Sequence, residues 1–264
     1  MKVIILTDFS ESAFKAIDFV YRHFKREQLH VKLVHCVTKP GSSASTLMRL
    51  DDLLKIDAQK NMLELTNRVQ EIYQKSPDTV VLFGHLKDVV IQLSASEQID
   101  LIVMGTKGET NLKSRLMGSI TESIIRASIL PVLAIPESWY NNELQSITIS
   151  TSKKELESTP FLTHFIENLC LVTPRFNVLT VTRKDHQGLL PRALDLGGIS
   201  FNVHTIENED VVDGINSYME SNRIDILCVY HYHNSALDYL FNRSITKTIC
   251  ADTEVPILAI PSQR

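Results

Sequence analysis

Glycines and hydroxyl residues gather in one short stretch of the chain and could bind an anion. A short apolar run ends at Gly105, Gly108 follows, and Gly118 and Ser119 precede a segment with helical spacing of apolar residues. A helix start offers free backbone N–H groups and a partial positive charge, and glycine lets a ligand approach the backbone. With the nearby hydroxyl of Thr121, the pattern predicts a phosphate site.

A purely structural explanation of the same residues stays open. Ser119 and Glu122 match a capping box, with Ser119 as the N-cap of the helix that follows. Gly105 would then only end a strand, and the loop after it would be a solvated connection. In the first explanation the spacing of the glycines is needed to bind phosphate, whereas in the second it has no function beyond ending a strand and starting a helix.

The surrounding segments alternate between strand and helix patterns. Strands are predicted over residues 2–7, 30–37, 79–83, 101–104 and 131–136, and helices over 13–24, 47–72, 89–93 and from 118 onward. This alternation predicts an α/β fold with a doubly wound parallel sheet and helices on both faces. Ligands of such sheets bind beyond the carboxyl ends of the strands, where Thr7, Asp8 and Gly105 lie.

The glycine spacing also matches a known family. Gly105, Gly108, Gly118 and Ser119 form the pattern Gly-x2-Gly-x9-Gly-Ser between a buried strand and a helix. This pattern resembles the nucleotide signature of the ATP-binding branch of the universal stress protein family, and residues 5–10 resemble its first strand and turn. The resemblance implies a Rossmann-like fold of the adenine nucleotide alpha hydrolase type. It also implies that the cofactor is ATP, ADP or AMP, with a role for Mg left open.

The resemblance assigns each part of the nucleotide to residues of this chain. The residues implied to bind phosphate are Gly105, Gly108, Gly118, Ser119, Ile120 and Thr121. The residues implied to enclose the adenosine are Thr7, Asp8, Cys36 and Val37. Taken alone, Asp8 is equally well explained as a turn-forming carboxylate that caps the next helix.

The second half of the chain repeats the first at an offset of 125 residues. Residues 224–229 correspond to residues 99–104, and the prolines at 131 and 136 recur at 256 and 261. A polar linker follows Pro136, so we predict two domains, 1–140 and 141–264, each with a five-stranded parallel sheet. In the second domain, a segment over 189–196 is the expected counterpart of the long second helix.

The nucleotide motif does not repeat with the fold. The positions of the three glycines are taken by Tyr230, His233 and Arg243. Of the hydroxyl residues, Ser244 and Thr246 persist, whereas Ser152 stands opposite Asp8. Bulky side chains where backbone should approach phosphate predict a second domain that binds no nucleotide.

The fifth strand of each half, at 132–135 and 257–260, is short, apolar and expected at a sheet edge. An exposed apolar edge is a template for pairing with another strand. The resemblance implies the same contact, because family members of single-domain length commonly dimerise through this strand. We therefore expect an intramolecular pseudo-dimer, and further homodimerisation and the protein partner stay open.

Composition and charge narrow the range of partners. The net charge of -4 is spread without a basic stripe, so neither nucleic acid nor a membrane surface is an expected partner. The apolar run after Met1 is too short for a signal peptide or a membrane span, which favours a cytoplasmic protein. The four cysteines lie in apolar contexts, where buried thiols are expected.

His231 and His233 could face the same side of an extended chain and bind zinc. No cysteine or carboxylate at ligand spacing completes such a site, so we expect a solvated strand end and no metal. No catalytic residue is predicted either, because a P-loop and an esterase-type serine elbow are both missing from the sequence.

Three classes of function remain. The residues favour a regulatory module that binds an adenine nucleotide with little or no turnover, and the resemblance to the family implies a role in the stress response. A slow Mg-dependent ATPase is the first alternative. Glu109 and Glu122 are the only candidate carboxylates near the loop, and Glu122 is already explained as a cap, so any turnover should be slow. A scaffold that binds a protein partner without nucleotide is the second.

Overall fold

The computed structural model describes residues 1–38, 44–106, 118–140, 142–151, 160–182, 193–196, 198–231 and 255–261. The strands of the first half are β1 (Lys2–Leu6), β2 (His30–Val37), β3 (Asp78–Phe83), β4 (Leu101–Gly105) and β5 (Val132–Ile135). Its helices are α1 (Glu11–His23), α2 (Ala44–Tyr73), α3 (Leu86–Ser96) and α4 (Ser119–Ala127), with a short 3-10 helix at Arg26–Gln28. The predicted alternation of strands and helices is confirmed for this half.

The second half also alternates strands and helices, but it contains an additional strand that pairs antiparallel with its neighbour. Its described strands are β6 (Leu144–Ser150), β7 (Leu171–Thr182), β8 (Ala193–Leu196), β9 (Ile199–Glu207), β10 (Ile226–His231) and β11 (Ile257–Pro261). Its described helices are α5 (Pro160–Glu167) and α6 (Val211–Ser221).

The prediction that residues 189–196 replace the second helix is wrong where the structure describes them. Residues 193–196 form β8, which pairs antiparallel with β9, and residues 189–192 lie outside the described part. Gly198 adopts a φ of +84°, and its N–H donates to Asp195 Oδ1 at 3.0 Å. A glycine in this conformation permits a tight reversal, so the segment folds back as a hairpin.

One continuous sheet of eleven strands runs through both halves, in the order β3-β2-β1-β4-β5-β11-β10-β6-β7-β9-β8. The sequence predicted two separate parallel sheets, whereas the observed sheet is mixed, with antiparallel pairs at β5–β11 and β8–β9. The pairing predicted for the fifth strands is present, with Leu133 opposite Leu258. Because the paired residues of both strands are buried and apolar, joining the strands removes two exposed edges at once.

Helices cover both faces of the first-half sheet, as the prediction of an α/β fold required. Val3 and Ile5 of β1 pack into a core shared with α1 and α2, and Ile4 and Leu6 pack into a second core with α3 and α4. The alternation follows from the two-residue period of a strand. None of the described helices is long and apolar enough to cross a lipid bilayer.

Aromatic side chains bind the two halves into a shared core. The ring of Phe24 lies 5.8 Å from that of Phe165, and Phe19 lies 6.0 Å from Trp139. The sequence predicted a polar linker after Pro136. Trp139 in this segment is only 7% exposed, and its side chain anchors the segment to the core. A linker that contributes to the core holds the halves in a defined relation.

The repeat is visible in how each half fixes its first strand. The carboxylate of Asp100 accepts the N–H of Lys2 at 2.7 Å, and that of Asp225 accepts the N–H of Gln145 at 2.7 Å. Both aspartates precede the strand that pairs with the first strand of their half. The same device in both halves supports the duplication inferred from the sequence.

The cysteines differ in burial. Cys228 is buried as expected, Cys36 is half-buried, and Cys170 is exposed, so the expectation of a buried thiol fails at Cys170. Cys250 lies outside the described residues.

Candidate functional site

The predicted site residues that the structure describes lie along one edge of the sheet. Strands β2 and β4 flank β1, and all three run parallel. Chain connections lead from β1 toward β2 and β3 on one side, whereas β4 and β5 lie on the other. The order therefore reverses between β1 and β4, which is the position where open α/β sheets bind ligands. Asp8 and Gly105 flank this switch point.

The turn after β1 is built around Asp8. One carboxylate oxygen, Oδ1, accepts the N–H of Ser10 at 3.1 Å and its hydroxyl at 2.5 Å. The hydroxyl of Ser10 in turn accepts the N–H of Ala13 at 3.2 Å and caps α1. Asp8 thus has the turn-forming role considered from the sequence, and the same contacts hold its carboxylate at the switch point.

Phe9 and His35 support this turn, and sequence analysis singled out neither of them. Phe9 has a φ of +67°, an uncommon conformation for a bulky residue. Its N–H donates to Thr7 Oγ1 at 3.0 Å, and its ring centroid lies 4.3 Å from that of His35. His35 Nδ1 lies 2.8 Å from the carbonyl oxygen of Thr7 and must donate to it, because a carbonyl only accepts. Strain held in place in this way is typical of functional sites.

The end of β2 forms the next wall of the crevice. The thiol of Cys36 donates to the carbonyl of Gly84 at 3.2 Å, and the N–H of Gly84 donates to Val37 at 3.1 Å. Burial raises the pKa of the Cys36 thiol, so it stays neutral at physiological pH. This wall therefore has no charge of its own and suits an uncharged group.

Gly105 is required by packing as well as by any ligand. A Cβ atom at this position would lie 2.5 Å from Ser12 Oγ and 2.8 Å from the carbonyl oxygen of Ser12 in α1. Such distances are well inside van der Waals contact. The helix that follows the Asp8 turn can therefore approach β4 only because residue 105 lacks a side chain.

The start of α4 differs from the predicted capping box, which is wrong. Gly118, not Ser119, is the N-cap, with φ -63° and ψ 145° and no capping side chain. The carboxylate of Glu122 pairs instead with Arg126 at 2.9 Å, one helical turn along. Without a side-chain cap, the N–H groups of Ser119 and Ile120 meet no acceptor in the described part of the chain. They are open to a ligand.

Two further contacts tie α4 to the end of β4. The N–H of Gly118 donates to the carbonyl of Thr106 at 2.7 Å, and the buried hydroxyl of Thr121 donates to that of Gly105 at 3.1 Å. Thr121 therefore fixes the helix start against the strand end, while Ser119 and Ile120 are exposed beside it.

Some predicted positions lie outside the described residues. They are Gly108, Glu109, Ser152, His233, Arg243, Ser244 and Thr246. His231 ends β10, and no group of three metal-ligating side chains occurs among the residues described.

The second half has a different strand end at the equivalent place. The N–H of Thr151 donates to Leu179 at 3.1 Å, as that of Thr7 does to Val34 at 2.9 Å, so the two threonines are equivalent. Tyr230, at the position of Gly105, is 4% exposed and adds its bulk to this edge.

Comparisons with known proteins agree with this geometry. A family model described as the universal stress protein family matches residues 1–136. Universal stress protein MJ0577 of Methanocaldococcus jannaschii is 31% identical over 153 residues, covering 51% of this chain and 93% of that protein. Universal stress protein YxiE of Bacillus subtilis is 22% identical over 144 residues, covering 51% of this chain and 97% of that protein. The crystal structure of a universal stress protein from Archaeoglobus fulgidus aligns over 98% of both chains with a TM-score of 0.69 at 16% identity, which shows a common fold.

Proposed function

The chain belongs to the universal stress protein family, and from that premise we propose that residues 1–140 bind one adenine nucleotide and act as a regulatory module with little or no turnover. Residues 141–264 form, in this proposal, a degenerate second domain that carries no nucleotide. The family assignment covers the first half, where the complete motif of three glycines and one serine lies.

The observation that carries the proposal is the uncapped start of α4 at the switch point. Ser119 and Ile120 are exposed residues beside the end of β4, and their N–H groups have no acceptor within the described residues. A helix start with free donors attracts anions through both its N–H groups and its dipole. In this proposal the phosphate groups bind there, beside the end of β4 at Gly105, while Gly108, the other glycine of the motif, lies outside the described residues.

The other end of the crevice suits an adenosine. The carboxylate of Asp8 only accepts hydrogen bonds, and the amino group of adenine donates them. The neutral walls at Cys36 and Val37 fit an uncharged base. Guanine presents a carbonyl oxygen in place of the amino group, so the site should prefer ATP, ADP or AMP over GTP.

We expect one nucleotide per chain. Isothermal titration calorimetry of the full chain with ATP should give a stoichiometry close to one and much weaker binding of GTP. Mass spectrometry of small molecules that co-purify with the protein identifies which adenine nucleotide occupies the site. Two equivalent sites per chain would contradict a degenerate second domain, and no binding would favour the scaffold.

We also expect hydrolysis to be negligible beside ordinary enzymes, which turn over about ten times per second. Phosphoryl transfer needs a metal held by carboxylates and a group that orients the attacking water. Near the start of α4, Glu122 is already paired with Arg126. A phosphate-release assay with Mg should therefore remain at the background rate. A Mg-dependent rate of about ten turnovers per second would establish the ATPase instead, if it is lost together with ATP binding in a Gly118 variant.

A further inference from the structure

A small cavity of about 160 Å³ lies at the opposite edge of the first-half sheet from the nucleotide site. It opens where α1 and α2 end and where β2 and β3 begin. Tyr21, Val31 and Pro77 are buried residues of its wall. Its volume suits a ligand of only a few heavy atoms, well below the size of a nucleotide.

Charged residues line much of the rest of the cavity, together with Leu29 and Ser76. Arg26 and Lys75 contribute two cations and Asp78 one carboxylate, and His30 is the remaining titratable side chain besides Tyr21. Neither Arg26 nor Lys75 forms an ion pair within the described residues. Arg26 Nε donates to the carbonyl oxygen of Tyr21 at 3.4 Å, and its terminal guanidinium nitrogens have no acceptor among the residues that the structure describes.

These cations have a structural explanation, because each follows the carboxyl end of a helix and offsets its partial negative charge. The hydroxyl of Tyr21 has no such explanation. Tyr21 is 3% exposed and its ring stacks on that of Tyr73 at 4.9 Å. The hydroxyl of Tyr73 donates to Asp18, whereas that of Tyr21 has no hydrogen-bond partner in the described structure. The Tyr21 hydroxyl is not among the fully buried polar atoms that the described structure leaves unpaired, so it reaches the accessible space of the cavity, where a ligand can accept a hydrogen bond from it.

Burial raises the pKa of Tyr21 to about 12, so its hydroxyl keeps its proton and remains a donor. The cavity therefore combines one unused neutral donor with two unpaired cations. An oxygen-rich anion satisfies all three, since cations and hydroxyl donors bind the same oxygens.

We propose that this cavity binds a small oxyanion, a phosphate or a carboxylate group, through Arg26, Lys75 and the Tyr21 hydroxyl. The site is separate from the proposed nucleotide site and does not depend on it. The carboxylate of Asp78 opposes the bound anion, so the affinity should lie in the millimolar range.

The test uses calorimetric titration with inorganic phosphate, and separately with acetate, at low ionic strength. Phosphate could also enter the nucleotide site, so the titrations use the full chain carrying Gly118→Val, in which that site is filled by a side chain. Saturable binding of phosphate alone assigns a phosphoryl ligand, and binding of acetate alone assigns a carboxylate. Absence of saturable binding of both anions would overturn the proposal, whatever the result with ATP.

Variants then locate the binding. Arg26→Gln should weaken it about tenfold and Tyr21→Phe about fivefold, because each removes a donor to the anion. Lys25→Gln is the matched control: it removes the same charge from the neighbouring residue, which does not line the cavity. Equal weakening by Lys25→Gln and Arg26→Gln would show only general charge attraction and would overturn the proposal.

Asp78→Asn tests whether the weaker binding in the other variants could come from misfolding. Removing the opposing carboxylate should strengthen binding about threefold, an effect of the size expected for an exposed charge. A damaged protein does not bind more tightly, so this gain supports the site independently of the other variants. Unchanged or weaker binding in Asp78→Asn would place the anion away from this cavity.

Discussion

Gly118→Val will abolish nucleotide binding and leave the chain folded. The valine side chain would stand over the N–H groups of Ser119 and Ile120, where the phosphates are proposed to bind. Losing these donors and the close approach should weaken ATP binding at least 100-fold, or about 2.7 kcal/mol. Calorimetry with ATP on the purified variant measures the change.

The variant should fold because the backbone of Gly118 is not special. Its φ of -63° and ψ of 145° lie in the extended region, which valine favours. Thermal unfolding should therefore change little. Gly118→Ala is the matched control, with one methyl group in the same place and an intermediate loss of affinity. An ATP affinity in Gly118→Val equal to that of the parent would refute the phosphate assignment.

Gly105→Ala will act on stability first, by about 3 kcal/mol. The new Cβ would meet Ser12 Oγ at 2.5 Å and the Ser12 carbonyl oxygen at 2.8 Å, so α1 must move away from β4. Overpacking of a buried contact forces such shifts and is destabilising. Urea denaturation followed by circular dichroism gives the free energy of unfolding of parent and variant.

Two controls separate the cause. Gly198→Ala introduces a methyl group into open space at a φ of +84°, so it carries backbone strain without a clash and should cost about 1 kcal/mol. Ser12→Ala in the Gly105→Ala background removes the nearest contact but leaves the carbonyl, and should restore part of the loss. A smaller loss at Gly105 than at Gly198 would show that α1 does not pack against residue 105 as described.

Gly105 and Gly118 belong to the same motif, but a glycine is needed at the two positions for different reasons. The contact with Ser12 explains Gly105 without any ligand. Gly118 has an ordinary backbone and lacks a capping side chain, and we propose that its missing side chain leaves room for phosphate groups. A spacing pattern in the sequence cannot separate these reasons, because both appear as a glycine.

The α/β fold could be predicted from the sequence, and the reason is local. Strands buried on both faces are continuous apolar runs, and the helices between them show apolar residues at helical spacing, as in β4 and α4. The segments that repeat at an offset of 125 residues are themselves short, and so are the apolar fifth strands, so both can be recognised from local sequence. The pairing of β5 with β11 followed from these features, since an unpaired apolar edge needs a partner, whereas its antiparallel direction was not predicted.

By itself, the sequence determined the strands and helices of the first half, and it predicted the duplication and the segments that supply the proposed nucleotide site. Only the tertiary structure decided which atoms those segments bring together. The ring of His35, 26 residues away, packs on Phe9, whose φ is positive. The need for a glycine at position 105 comes from its contact with Ser12, 93 residues away. The hairpin at β8 and the burial of Trp139 were likewise set by neighbours distant in sequence. Local patterns record which face of an element is apolar, whereas close packing selects the contacts between elements, and that selection leaves no periodic trace in the chain.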